Sequence, residues 1–117
     1  MNKELYYKDD VLKYNEHGLL HCIDGPAIIY ADGSKFWYQH GMLHRTDGPA
    51  VERANGTMLW YKEGARHRID GPAIEYVSGT VSYWINGKNI TKKEFKKEFK
   101  KQSKKLNPII PKEMWLI

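Results

Sequence analysis

Three histidines, His21, His44 and His67, stand 23 residues apart, and an aspartate follows each by three positions, at Asp24, Asp47 and Asp70. Imidazole and carboxylate are common metal ligands, so the column raises the question of a metal site. The 23-residue separation argues against one. Equivalent residues of stacked units lie side by side in a row and do not converge on one ion, so the expectation is no metal. The alternative is structural. Strand register sets His21 opposite Tyr14, His44 opposite Trp37 and His67 opposite Trp60, ring pairs worth a few tenths to about 1 kcal/mol each. The aspartates then accept the imidazole N–H or cap the backbone of a corner.

Nucleophile chemistry has little to build on. Cys22 is the only cysteine, and it falls in the column that holds Arg45 and Arg68. An intramolecular disulfide and a cysteine-based zinc site are excluded, which fits a cytoplasmic setting. Glycines are spaced by turns and none opens a helix after a strand, so no phosphate loop is expected. The reading is a non-enzyme with no catalytic residues and no cofactor.

The histidine spacing belongs to a repeat that covers most of the chain. Asp-Gly-Pro-Ala occurs at 24–27, 47–50 and 70–73. Gly18, Gly41, Gly64 and Gly87 keep the same period, as do Gly33, Gly56 and Gly79. Residues 41–63 and 64–86 agree at ten of 23 positions without a gap, several times what chance gives. The units are 18–40, 41–63 and 64–87, preceded by a half-unit at 9–17. They form one array over 1–90, followed by a different segment over 91–117.

Each unit reads as β. Asp32-Gly33, Asn55-Gly56 and Ser78-Gly79 are two-residue turn signals of the primed type, flanked by strand formers such as Ile28-Ile29-Tyr30 and Phe36-Trp37-Tyr38. A second turn lies at His17-Gly18, His40-Gly41, Glu63-Gly64 and Asn86-Gly87. Asp-Gly-Pro turns the chain again, since its proline cannot donate to a ladder. The predicted fold is all-β, a meander of stacked hairpin repeats, with one C-terminal α-helix.

Two-residue turns fix register, and register sorts faces. Ile28 is predicted opposite Trp37, Val51 opposite Trp60 and Ile74 opposite Tyr83, which makes Trp37, Trp60 and Tyr83 the core column. The other face sets Ala27, Ala50 and Ala73 beneath Tyr38, Tyr61 and Trp84, with Glu52 and Glu75 beside them as a polar rim. Tyr38, Tyr61, Trp84, Glu52 and Glu75 are therefore the expected protein-binding residues, unless this face is covered by the chain itself.

The segment after Lys88 changes character. Thr91 and Glu94 form a capping box, so a helix starts there and runs to about Lys105, ahead of Pro108. Phe95 and Phe99 share one face and fit a cap on the last repeat, which such arrays require. Lys93, Lys97, Lys100 and Lys104 fall on the other side and are the candidate nucleic-acid contacts. Residues 107–117 are apolar and hold Pro108 and Pro111, so they lie back on the repeat or dock on a partner.

Composition sets bounds on all of this. The 117 residues are 41% apolar, 28% charged and 13% aromatic, a folding composition and one domain's worth. The net charge of +5 is lopsided. Residues 1–87 hold nine Lys/Arg against eleven Asp/Glu, while 88–117 hold ten Lys against three Glu. The basic character belongs to the C-terminal segment. No transmembrane run and no signal peptide are expected, and no membrane partner.

The unit resembles the MORN repeat and its bacterial variant. The shared pieces are Trp60-Tyr61-Lys62-Glu63-Gly64 followed by His67, and Tyr83-Trp84-Ile85-Asn86-Gly87. Small bacteriophage proteins are similar, with the His-Arg-x-Asp-Gly-Pro-Ala string found here at His44–Ala50 and His67–Ala73. The resemblance spans about residues 9–90. It implies an elongated scaffold for protein contacts and brings no catalytic residues. The expected function is binding of a host protein, as a phage-type inhibitor or modulator of host defence acting in the host cytoplasm. The rival reading is a nucleic-acid binder working through the lysine-rich helix.

Overall fold

The computed structural model describes residues 3–106. Its first two strands, β1 (Lys3–Tyr7) and β2 (Asp10–Tyr14), form an antiparallel pair. The repeats supply β3 (Ile28–Ile29), β4 (Lys35–Phe36), β7 (Val51–Glu52), β8 (Met58–Leu59) and β11 (Ile74–Glu75). Two small return hairpins leave this sheet, β5 (Tyr38–Gln39) with β6 (Met42–Leu43), and β9 (Tyr61–Lys62) with β10 (Ala65–Arg66). Then β12 (Val81–Ile85) and β13 (Lys88–Ile90) close the array before helix α1 (Lys92–Leu106). The nine-stranded sheet runs β1-β2-β3-β4-β7-β8-β11-β12-β13, an antiparallel all-β meander with one C-terminal helix.

One row of cross-strand partners carries the apolar side: Leu5, Leu12, Ile28, Phe36, Val51, Leu59, Ile74 and Ser82. Directly opposed residues share a face, so this row is continuous. Ile28, Val51 and Ile74 are buried in it, and Ala27, Ala50 and Ala73 are fully covered.

The observed register corrects the predicted one. Ile28 lies opposite Phe36, Val51 opposite Leu59 and Ile74 opposite Ser82, each one residue short of the expected aromatic. The cause is the turn. Gly33 N–H bonds to the Tyr30 carbonyl while Tyr30 N–H bonds to the Ser34 carbonyl, and Gly33 has φ +94°. This is a three-residue loop, a type I turn followed by a glycine bulge, where two residues were expected. The same bonds and positive φ recur at Gly56 and Gly79. One extra residue per hairpin moves the alanines from beneath Tyr38, Tyr61 and Trp84 to positions beside Trp37, Trp60 and Tyr83. Trp37 N–H accordingly donates to the Ala50 carbonyl, and Trp60 N–H to that of Ala73.

The return turns at His40-Gly41, Glu63-Gly64 and Asn86-Gly87 are the two-residue primed ones, with positive φ at both residues. They set His44 opposite Trp37 and His67 opposite Trp60, where the N–H of each histidine meets the carbonyl of its tryptophan. The first histidine differs. Gly18 closes a three-residue loop from Asn15 to Leu19, so His21 N–H meets Lys13 and not Tyr14. Lys13 thus holds, in the first half-unit, the place that Trp37 and Trp60 hold later.

Candidate functional site

The histidines join one return turn to the next. His21 Nδ1 accepts the backbone N–H of His40, His44 Nδ1 that of Glu63, and His67 Nδ1 that of Asn86, all at 2.9 Å. Each donor is the first residue of the next return turn. The following glycine donates to the carbonyl just before the histidine: Gly41 to Leu20, Gly64 to Leu43 and Gly87 to Arg66. On the opposite rim a second set of side chains does the same work. Asp10 accepts from Ala31 N–H, Ser34 Oγ from Ala54 N–H, and Thr57 Oγ1 from Val77 N–H. Both rims of every junction are thereby stapled. The aspartates do not serve the histidines as expected, and among the described residues no group of three or more His, Cys, Asp or Glu is arranged to hold a metal ion.

Asp47 and Asp70 serve arginines instead. Arg45 lays its guanidinium 3.9 Å above the Trp37 ring, with Nε on Asp47 at 2.9 Å, and Nη1 on the Pro49 carbonyl and on Glu52. Arg68 repeats this over Trp60, with Asp70, the Pro72 carbonyl and Glu75. The Asp-Gly-Pro-Ala corner is therefore wrapped around a planar cation stacked on a ring, a pairing that suits arginine's rigid fork. The corner glycine makes room for it. A Cβ on Gly48 would sit 2.9 Å from Arg45 Cζ, and one on Gly71 2.7 Å from Arg68 Cζ. In the first corner Cys22 replaces the arginine, Sγ–H donates to Asp24, and nothing crowds Gly25. Burial pushes the Cys22 thiol up, helped by its bond to Asp24, whose carboxyl is held down by the same bond. The Asp47 carboxyl is held down by its hydrogen bond to Arg45 and by that residue's charge.

This arginine hub was missed at the sequence level. The signal was present: Arg45 and Arg68 share a column, each follows a histidine opposite a tryptophan, and each precedes an aspartate by two residues. The hub also relocates two predicted residues. Glu52 and Glu75 bind the arginines over the Trp37 and Trp60 rings, so they do not rim the other column.

That other column forms its own row. Tyr38 pairs with Leu43, Tyr61 with Arg66 and Trp84 with Asn89. Neighbouring residues of a strand point to opposite faces, so Tyr38 and Tyr61 face away from Trp37 and Trp60. All three aromatic side chains are half-buried. Arg66 lies between two of them, its guanidinium 5.5 Å from the Tyr61 ring and 4.7 Å from that of Trp84. Arg66 Nη2 donates to the Tyr61 hydroxyl, while Trp84 Nε1 donates to Ser82 Oγ. Arg66 Nε is buried without a partner among the described residues. Burial raises the Tyr38 phenol, and the nearby Tyr30 and Tyr61 add to the shift. The row thus offers two tyrosines, a tryptophan and an arginine, with Leu43 at one end.

At the C-terminal end, α1 stands where a fourth corner would stand. Thr91 N–H donates to Glu94 Oε1 and Glu94 N–H to Thr91 Oγ1, a reciprocal capping box that holds the Glu94 carboxyl down. Phe95 is buried with its ring 4.7 Å from that of Tyr83, the place that arginine takes over Trp37 and Trp60. Phe99 follows behind it, in a crevice shared with Asp70, Gly71 and Pro72. Lys93, Lys97 and Lys104 are exposed and Lys100 half-buried. The apolar segment 107–117 lies outside the described residues. No helix among those described is long and apolar enough to cross a membrane.

The chain matches no protein-family model, no curated protein and no solved structure.

Proposed function

We propose that this is a protein-binding repeat array whose interface is the row Tyr38, Tyr61, Arg66 and Trp84. The observation that carries the reading is the interleaving of Arg66 between the Tyr61 and Trp84 rings on the face that the arginine hubs leave alone. Tyr, Trp and Arg are the residue types that dominate interface hot spots. Trp37 and Trp60, by contrast, already have an arginine over one face. With Glu52 and Glu75 drawn to the other side, the row carries a cation and no carboxylate, which suits an acidic protein surface. The resemblance to MORN-type arrays and to small phage proteins adds the class of partner, a host protein that the chain inhibits or modulates.

Immobilised full-length chain tests the proposal in host lysate at moderate salt. One stoichiometric protein retained by the wild type and lost with Arg66→Ala plus Tyr61→Ala supports it. Retention of the same protein by that folded double variant removes the row as the interface.

A further inference from the structure

We propose that the outward face of α1 binds double-stranded nucleic acid through its phosphates, as a second site separate from the aromatic row. Helix α1 carries eight lysines and two glutamates in fifteen residues. Among the described residues, none of these lysines has a carboxylate within salt-bridge distance. The rest of the array is close to neutral, so the charge is concentrated on one element and is not spread over the surface.

The packing decides which side of the helix is free. Phe95 and Phe99 hold it against Tyr83 and the last corner. At 3.6 residues per turn, Lys93, Lys97, Lys100 and Lys104 fall on the side opposite Phe95. From Lys93 to Lys104 the helix rises about 16 Å, at about 1.5 Å per residue. A duplex carries one negative charge per about 1.7 Å of its axis, both strands counted, so a row of four ammonium groups about 16 Å long faces a denser row of opposite charge.

Two competing occupants fit less well. An amphipathic helix that enters a membrane needs an apolar face to insert. Here the phenylalanines are turned inward, and the opposite side holds only lysines. Single-stranded binding uses rings on which bases stack, and no ring stands on that side. Lysine is a point charge without arginine's bidentate fork, so contact with backbone and indifference to base sequence are expected.

Fluorescence anisotropy with a labelled DNA duplex of two helical turns and the full chain tests this, starting at low salt of about 50 mM. Binding is expected to weaken with a log–log salt slope of about −3.6, from about −0.9 for each of four phosphates. Replacing Lys93, Lys97, Lys100 and Lys104 together by Gln is expected to cut the slope by more than half, while the Arg versions keep it. A duplex of scrambled sequence should compete equally well, and Tyr61→Ala should bind DNA like the wild type. No binding at low salt, a slope that the Gln variant retains, or binding to phosphatidylserine vesicles in place of the duplex would overturn the proposal. Because Tyr61→Ala is the control, loss of the protein-partner reading leaves this result standing, and the reverse.

Discussion

His44 and Glu63 are nineteen residues apart in sequence, and Nδ1 of the first accepts the backbone N–H of the second at 2.9 Å. The acceptor is the lone pair of Nδ1, so the ring serves here as a backbone cap. The same bond recurs at His21 and at His67, so each return turn is closed by the imidazole of the turn before it. What looked in sequence like a row of metal ligands is a row of backbone caps, each ring closing the turn of its neighbour.

Stability should accordingly fall on mild acidification. Burial holds the His67 imidazole below its ordinary value of 6.5, and Lys62 adds to this. A histidine depressed in the folded state binds more protons when unfolded. Its contribution is complete above pH 6.5 and is lost as pH drops through the lower folded value. Urea unfolding between pH 7.5 and pH 5, in steps of about half a unit, should show midpoint loss that His67→Ala reduces. His67→Ala itself should cost about 1–2 kcal/mol at neutral pH. Equal pH dependence in the wild type and the variant would dissociate the loss from this ring.

The corner glycines should differ in tolerance. Gly48→Ala and Gly71→Ala push a methyl group into a guanidinium fixed by a ring, two carboxylates and a carbonyl, and should cost about 1–2 kcal/mol. Gly25→Ala meets open space and should be neutral or slightly stabilising, within about 1 kcal/mol. Thermal melts of the three variants check this, and Trp fluorescence should shift only in the first two. A Gly25→Ala loss as large as that of Gly48→Ala would count against the arginine as the cause.

Phe95→Asp should lower the melting temperature by about 10 °C or more, because it places a carboxylate in the buried contact with Tyr83. Losing such a ring contact costs about 3 kcal/mol. Lys100→Glu with Lys104→Glu leaves the Phe95 and Phe99 contacts in place and should keep the melt within about 3 °C, the scale of a surface change. If removing residues 92–117 leaves the melt unchanged, the helix does not stabilise the array.

Tyr61→Ala and Trp60→Ala should separate binding from folding. The first removes a ring from the proposed interface and should weaken partner binding by about 1–3 kcal/mol. The second takes the floor from under Arg68 and leaves that cation held only at its edges by Asp70, the Pro72 carbonyl and Glu75, so it should lower stability by about 3 kcal/mol. Isothermal titration and denaturant unfolding of both variants check the contrast. The opposite assignment of the two effects would exchange the functional and structural columns.

Much of this architecture is legible in the residues. The exact Asp-Gly-Pro-Ala spacing gives the unit, His40-Gly41 and its counterparts give the return turns, and Thr91 with Glu94 gives the start of the helix. What escapes is one residue per hairpin. Asp32-Gly33 suits a two-residue primed turn and also a three-residue loop with the glycine as bulge, because both need positive φ at the glycine. All three loops share a local bond in which the N–H of Ser34, Thr57 or Thr80 donates to the side chain of Asp32, Asn55 or Ser78, so the signal for the longer loop lay in that polar residue before the glycine. The one extra residue per hairpin moves Glu52 and Glu75 to the arginines and leaves Arg66 in the aromatic row.

The staples also give the molecule a direction. Every one of these side-chain acceptors, from Asp10 through Thr57 and from His21 through His67, reaches forward along the chain to the next turn on its own rim. At the far end Ile90 stands in the histidine column, and it can accept nothing. An in-frame duplication of 23 codons covering residues 41–63 would create one more junction of the same chemistry and leave both ends as they are. Gain or loss of such a unit would change the reach of the product without designing a new fold.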